Sequence, residues 1–352
     1  MVVYEVVLGA VSLCAIVSCT RQSPRMKDFL YWICAGGIII ASALRSTDIG
    51  ADTLTYCQEY QNIRALSFKE AMGFGWEQGY VAVNWVLGQF FESDRALLVF
   101  LTIFILIPIF VWIKKESNYP LLSLVMFIGM GMWNASIGIF RQWCAIAILT
   151  FSYKYIKARR FIPFLMVVLI AMLFHRTAAI FLLAYFIEGI PLNMNTIIAT
   201  VPASVMVGLI GDKILNFLNK FARISEGGNF NGGISLLIVL WLCVVTPLIC
   251  YKGKIPKELK FYMKLVLFAA FMQPVAFAFS NWARIVVYFS ISLLIYLPNF
   301  VSEVILESKL NAKISIPVVT AVCGLMFLWL GRLDVGCLLY TSPSPRDYAA
   351  SR

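Results

Sequence analysis

A few arginines, one histidine and a handful of carboxylates interrupt an otherwise apolar sequence, and their types suit the chemistry of phosphate esters. Arg45 opens the stretch RSTDIGADTLTY, which carries Asp48, Asp52 and Tyr56. Glu77 lies in WEQGY, Arg141 and Gln142 in FRQW, and His175 and Arg176 in FHRT. Arg284 and Tyr288 lie in NWARIVVYF. A guanidinium presents a planar fork of donors that pairs with phosphate oxygens. Several around one cavity would bind a diphosphate and stabilise negative charge as it leaves. A histidine or carboxylate nearby would take the proton of an attacking hydroxyl. The chemistry described is group transfer from a lipid-diphosphate donor. Each residue alone has a plainer reading: an arginine at a helix end snorkels to headgroups, and Asp48 and Asp52 beside Gly50 suit a turn. A shared position is what would join them.

That position follows from the elements around them. Of 352 residues, 61% are hydrophobic and only 13% charged, against about 25% charged in a soluble domain. Mean hydropathy is +0.84. Apolar runs recur along the whole chain, and a bilayer takes about 20 residues per helical span. Backbone groups in lipid must be satisfied internally, and the runs lack the short alternation of a membrane barrel. The expected fold is therefore all-α, a polytopic transmembrane bundle of about twelve spans. The net charge of +11 fits the cytoplasmic bias of Lys and Arg in short loops, so no nucleic-acid partner is expected. The nine cysteines form no CxxC pair, and a single histidine excludes a histidine-built metal site. Neither metal nor cofactor is expected.

Basic clusters set the orientation. Arg21, Arg25 and Lys27 separate the runs Val3–Cys19 and Phe29–Leu44, and Lys114 and Lys115 follow Ala96–Ile113. Lys157, Arg159 and Arg160 follow Gly138–Tyr155, and Lys252, Lys254, Lys257, Lys260 and Lys264 follow Ile234–Tyr251. With these on the cytoplasmic side, the N-terminus is outside, and so are the two long polar loops, 45–95 and 212–233. Arg45, Asp52, Glu77, Arg141, His175 and Arg284 then share one depth on the outer face. Tyr80–Phe91 is apolar but short, and reads as a re-entrant or interfacial helix. No interrupted helices are expected in matching positions of two halves, which counts against a transporter built on inverted repeats. At the C-terminus CLLYTSPSPRD (Cys337–Asp347) resembles a translated transposase sequencing adapter. Residues 1–336 are therefore expected to be one transmembrane domain, and 337–352 a non-native tail.

At these residues the chain resembles the EpsG family of Wzy-like bacterial exopolysaccharide polymerases. An early Arg with Gly-x-Asp-x-x-x-Tyr appears as Arg45, Gly50, Asp52 and Tyr56. An acidic-x-Gly-Tyr element appears as Glu77, Gly79 and Tyr80, and Phe-Arg-Gln as Phe140, Arg141 and Gln142. Phe174, His175 and Ala178 follow, then Arg284 with Tyr288 and Phe289. The resemblance implies a glycosyltransferase-C/Wzy-like fold. It also implies a metal-independent polymerase, acting at the outer face of the bacterial inner membrane on undecaprenyl-diphosphate-linked repeat units. A flippase and a chain-length regulator are the partners it implies. On this reading Arg45, Arg141 and Arg284 are diphosphate ligands, helped by Gln142, Tyr56 and Tyr288. His175 is the first candidate for general base, with Asp52 or Glu77 the second. Two other readings stand beside it: another lipid-linked glycan transferase or ligase, and a polysaccharide flippase or transporter.

Overall fold

The computed structural model describes residues 2–19, 23–50, 52–211, 213, 233–251, 255–278, 282–308 and 311–332. Most of the expected outer loop 212–233 and all of the tail 337–352 lie outside the described residues. Every regular element among the described residues is helical. Among the described residues three helices are long and apolar enough to cross a membrane: Pro24–Ala43, Asp94–Glu116 and Leu259–Phe277. Two bent pairs raise this to five, and the other apolar helices are 10–17 residues long. The chain is an integral membrane protein, helical throughout its regular elements among the described residues.

It divides into two compact units. The first holds the residues up to Glu116, Pro120–Leu182 and Ile316–Gly324; the second holds Ser117–Tyr119 and the described residues of Leu183–Ser315 and from Leu325 on. In the first unit the helices are α1 (Val2–Ser18), α2 (Pro24–Ala43), α3 (Thr53–Arg64), α4 (Phe68–Met72), α5 (Gln78–Phe90) and α6 (Asp94–Glu116). After them come α7 (Pro120–Gly129), α8 (Met132–Gly138), α9 (Phe140–Leu149), α10 (Tyr153–Lys157) and α11 (Phe161–Met172), then a 3-10 stretch, Arg176–Leu182.

Local chemistry explains the ends. Ser23 accepts from the Met26 N–H at 3.3 Å, and Pro24 occupies the first turn of α2, where its missing N–H costs nothing. Asp94 opens α6 and Lys114 and Lys115 close it, each opposite in sign to the dipole end it faces. Ser67 and Glu70 form a reciprocal capping box on α4. Lys114 also pairs with Asp28, and Lys157 with Glu116. Lys114 and Lys157 thus lie with Asp28 and Glu116 at the end of the first unit where α2 begins, away from Arg45.

The core is aromatic. α6 packs on α2 and α9, α11 on α9, and α1 on α7 and α2. Phe110 and Phe127 meet edge-on at 5.5 Å, and the buried Tyr31 hydroxyl donates to Phe110 O at 2.6 Å. Where α2 ends and α6 begins, α3, α4 and α5 close over a small core of Ile63, Ala71 and Val81. The Tyr60 hydroxyl donates to Phe91 O at 2.6 Å, and Trp85 Nε1 to Leu66 O at 3.0 Å. At thirteen residues α5 is about 20 Å long, shorter than a bilayer core.

The structure departs from the expected run of continuous spans. α7 and α8 are one apolar run bent by 65°, and Trp282–Ser290 and Leu293–Glu307 are another, bent by 40°. Interrupted helices are thus present, one pair in each unit. The first break lies at Gly131, whose φ of +74° belongs to the left-handed region that only glycine enters at low cost. No neighbouring atom would crowd a side chain there. The Ile128 carbonyl beside it accepts from the Tyr4 hydroxyl at 3.1 Å. At the second break the Ser292 hydroxyl bonds back to Phe289 O, a pattern that bends helices.

Candidate functional site

Three separate segments of the first unit meet at the Glu77 carboxylate. Glu77 is the N-cap of α5, and its side chain is only 8% exposed. Oε2 accepts from Arg141 Nη1 at 2.8 Å, at the start of α9. Oε1 accepts from the Arg176 backbone N–H at 3.2 Å. His175 Nδ1 approaches Oε1 at 3.3 Å, a long and poorly aligned contact. Burial alone would raise the Glu77 pKa; His175 and Arg141 more than offset it and hold the carboxyl at about 2. Glu77 is therefore anionic under ordinary conditions and a weak base, while His175 keeps its Nε2 edge turned away from the carboxylate.

Aromatic rings fix the guanidinium. Arg141 Cζ lies 4.6 Å from the Trp76 ring centroid, a cation–π contact. Trp76 is held by Tyr56 at 5.4 Å, Phe74 at 5.6 Å and Tyr80 at 5.8 Å. Tyr56 also packs on Phe140 at 5.2 Å, and its hydroxyl faces Arg141. Arg141 Nε is buried, and no partner for it lies among the described residues. Gln142 is fully buried beside it.

The WEQGY element reads as one device in three dimensions. The N–H groups of Gly79 and Tyr80 both donate to Leu173 O, at 2.9 and 3.2 Å. This seats α5 on the end of α11, two residues before His175. A Cβ at Gly79 would stand 2.7 Å from Leu173 Cβ and 2.8 Å from its carbonyl oxygen, so only glycine fits. Gly79→Ala is expected to cost about 1–3 kcal/mol by overpacking, read as a lowered unfolding temperature of the purified protein in detergent. An unchanged temperature would mean that α5 is not held by this contact.

The other expected site residues lie as follows. Arg45, expected to bind diphosphate, donates instead to three backbone carbonyls: Ser42 O at 2.5 Å, Ile137 O at 2.8 Å and Ile49 O at 3.3 Å. Burial lowers its pKa to about 10, with Arg95 acting in the same direction, so it remains charged at neutral pH. Asp52 precedes α3, and its N–H donates to Gly138 O at 3.3 Å. Tyr56, Glu77, Arg141 and His175 come together in the first unit. Arg284 and Tyr288 lie on Trp282–Ser290 of the second unit, Tyr288 buried and Arg284 half-buried. Sequence reasoning missed Trp76 as the face beneath Arg141 and the Arg176 N–H as a carboxylate donor. Neither contact follows from residue spacing, although Trp76 adjoins the motif glutamate.

Among the described residues no group of three or more His, Cys, Asp or Glu side chains is placed to hold a metal ion. The EpsG family profile matches residues 28–342 of 352, which spans every motif described above. The chain belongs to the EpsG family. No curated protein and no solved structure matches it. In this EpsG-family chain the family motifs therefore acquire distinct geometric tasks: Glu77 bridges, Gly79 docks, Arg141 faces the bridge, and His175 flanks it.

Proposed function

We propose that this chain polymerises lipid-diphosphate-linked oligosaccharide repeat units into exopolysaccharide, capsule or O-antigen at the outer face of the bacterial inner membrane. Its family and apolar helices support a polysaccharide polymerase-like membrane protein. The observation that carries the finer reading is the shared carboxylate, Glu77, which holds a cation and a histidine side by side. That pairing suits a transfer in which diphosphate leaves as a hydroxyl loses its proton.

In the proposed step a sugar hydroxyl at the non-reducing end of one lipid-linked unit attacks the anomeric carbon of a chain on a second carrier. The new C–O bond forms as the bond from that carbon to the diphosphate oxygen breaks. His175 Nε2 takes the hydroxyl proton. Arg141 receives the leaving lipid diphosphate. Asp52 remains the alternative base; Glu77, held near 2, serves as the bridge. No nucleotide sugar is consumed, and neither metal nor cofactor has a part. About twelve spans, a glycosyltransferase-C/Wzy-like bundle, an external N-terminus and a lipid-linked oligosaccharide partner complete the proposal, with a flippase and a chain-length regulator acting beside it. The gathering of the Lys114 and Lys157 clusters at one end of the first unit supports that orientation.

The test is a host whose own polymerase is deleted, complemented with this chain. A ladder of polysaccharide lengths on gels supports polymerisation. One or a few added sugars, or transfer to a final acceptor, would point to another glycan transferase or ligase. The two broken helices are the feature that transport would share. Flux of lipid-linked glycan across proteoliposomes, with no bond formed, would replace the proposal with a transporter.

A further inference from the structure

Resting on the reading that Arg141 binds diphosphate, we infer that Arg45 is a positioning residue. It caps the C-terminal end of the half-helix α8 and so aims Arg141. The last carbonyls of a helix have no partner within it and carry the negative end of its dipole. α8 ends at Gly138, and only Ile139 separates it from α9, whose second residue is Arg141. The end of α8 is gripped by the segment that follows α2. Ile137 O accepts from Arg45 Nη2 at 2.8 Å and from Thr53 Oγ1 at 3.2 Å, and Gly138 O accepts from the Asp52 N–H at 3.3 Å.

The same guanidinium lies 5.3 Å from the ring centroid of Phe140, the neighbour of Arg141. Arg45 is itself fixed. Its own carbonyl accepts from Arg95 Nη1 at 2.6 Å, and Nε donates to Ile49 O. Only 6% of the residue is exposed. Gly50 completes the grip: at φ +110° it brings its backbone so close that a Cβ would stand 2.8 Å from Ile137 O. The spacing of Arg45, Gly50, Asp52 and Tyr56 is thus the pattern of a loop that clasps a helix end. Tyr56 then sets its ring on Phe140 from the next turn.

The experiment uses the full chain in lipid nanodiscs. Hydrogen–deuterium exchange without ligand is compared for wild type, Arg45→Ala and Gly50→Ala. Both variants are expected to speed exchange of the amides around Ala135–Trp143 at least about fivefold, because an uncapped helix end frays. A residue that only binds substrate would leave this segment unchanged. Inorganic pyrophosphate is then titrated calorimetrically into wild type, Arg45→Ala, Arg141→Ala and the double variant. Arg45→Ala is expected to weaken binding about tenfold alone and to add nothing in the Arg141→Ala background, since coupled residues are non-additive. Unchanged exchange, or additive losses of affinity, overturns the inference and makes Arg45 a direct ligand. If wild type binds no pyrophosphate, the diphosphate reading of Arg141 falls, while the exchange result still decides the cap. Should Arg45→Ala fail to accumulate, Arg45→Lys, with one point charge for a fork, is read in the same way.

Discussion

Arg141→Ala is expected to lower polymer formation by roughly 10²–10³-fold, so that the gel pattern from a complemented host collapses from a ladder to single repeat units. The expectation rests on how firmly the guanidinium is held. Glu77 anchors one nitrogen at 2.8 Å, and Trp76 covers the plane at 4.6 Å. A donor fixed before the reaction needs no reorganisation as charge develops on the leaving group. The alanine variant also strands a buried carboxylate, and breaking a buried pair from one side costs about 3–5 kcal/mol. Membrane levels must therefore be matched. Arg141→Lys separates the two effects: it keeps a cation for Glu77 but loses the planar fork. It is expected to accumulate normally yet retain at most about a tenth of the rate. Long chains from Arg141→Ala at matched expression would remove this residue from the mechanism.

Glu77→Gln is expected to lower the rate by about 10²–10⁴-fold, and to do so without changing any group that touches the sugar. The amide carries no charge for His175 or Arg141. Its stability effect has a defined pH dependence. Glu77 titrates near 2 in the folded chain against an ordinary value of 4.5. A carboxyl depressed in this way stabilises the fold fully above the unfolded value and loses that contribution as pH falls toward 2. The contribution is on the order of 3 kcal/mol at neutral pH. The unfolding temperature of Glu77→Gln should accordingly lie well below wild type at pH 7, with the gap narrowing between pH 5 and pH 3. A gap that stays constant over this range would show that the carboxylate is not held by cations. Wild-type chain length in Glu77→Gln would count against the bridge as part of catalysis.

The class of the fold was legible in composition, because no soluble packing hides so much apolar sequence. The helices themselves were less legible. Hydropathy sees Pro120–Ala135 as one run, yet Gly131 turns the backbone through a left-handed conformation and splits it. Likewise Thr177–Ile190 reads as a span, but its first turns are 3-10 and its α-helical part is only Leu183–Ile187. The site was legible as a set of residue types and opaque as a set of partners. Tyr56, Glu77, Arg141 and His175 do meet in the first unit. Which of them touches which depends on Leu173 O and Gly79, a backbone contact that no side-chain pattern announces. Arg45 looked like Arg141 in sequence, each at an apolar helix end. One turns its fork onto carbonyls, and the other faces a carboxylate.

Three glycines of this unit, Gly131, Gly79 and Gly50, set different rules for how the sequence can drift. At Gly131 the demand is on backbone handedness alone, with open space where a side chain would go. Asparagine, which enters that conformation more readily than other residues, is an admissible replacement there. At Gly79 the backbone imposes no such demand, but Leu173 occupies the space of the first side-chain carbon. No side chain fits at 79 unless α11 moves, and His175 moves with it. Gly50 carries both demands at once. A lineage can therefore wander at the kink in the first apolar pair, while changes at Gly79 and Gly50 must arrive together with compensating changes in the segments they pack against.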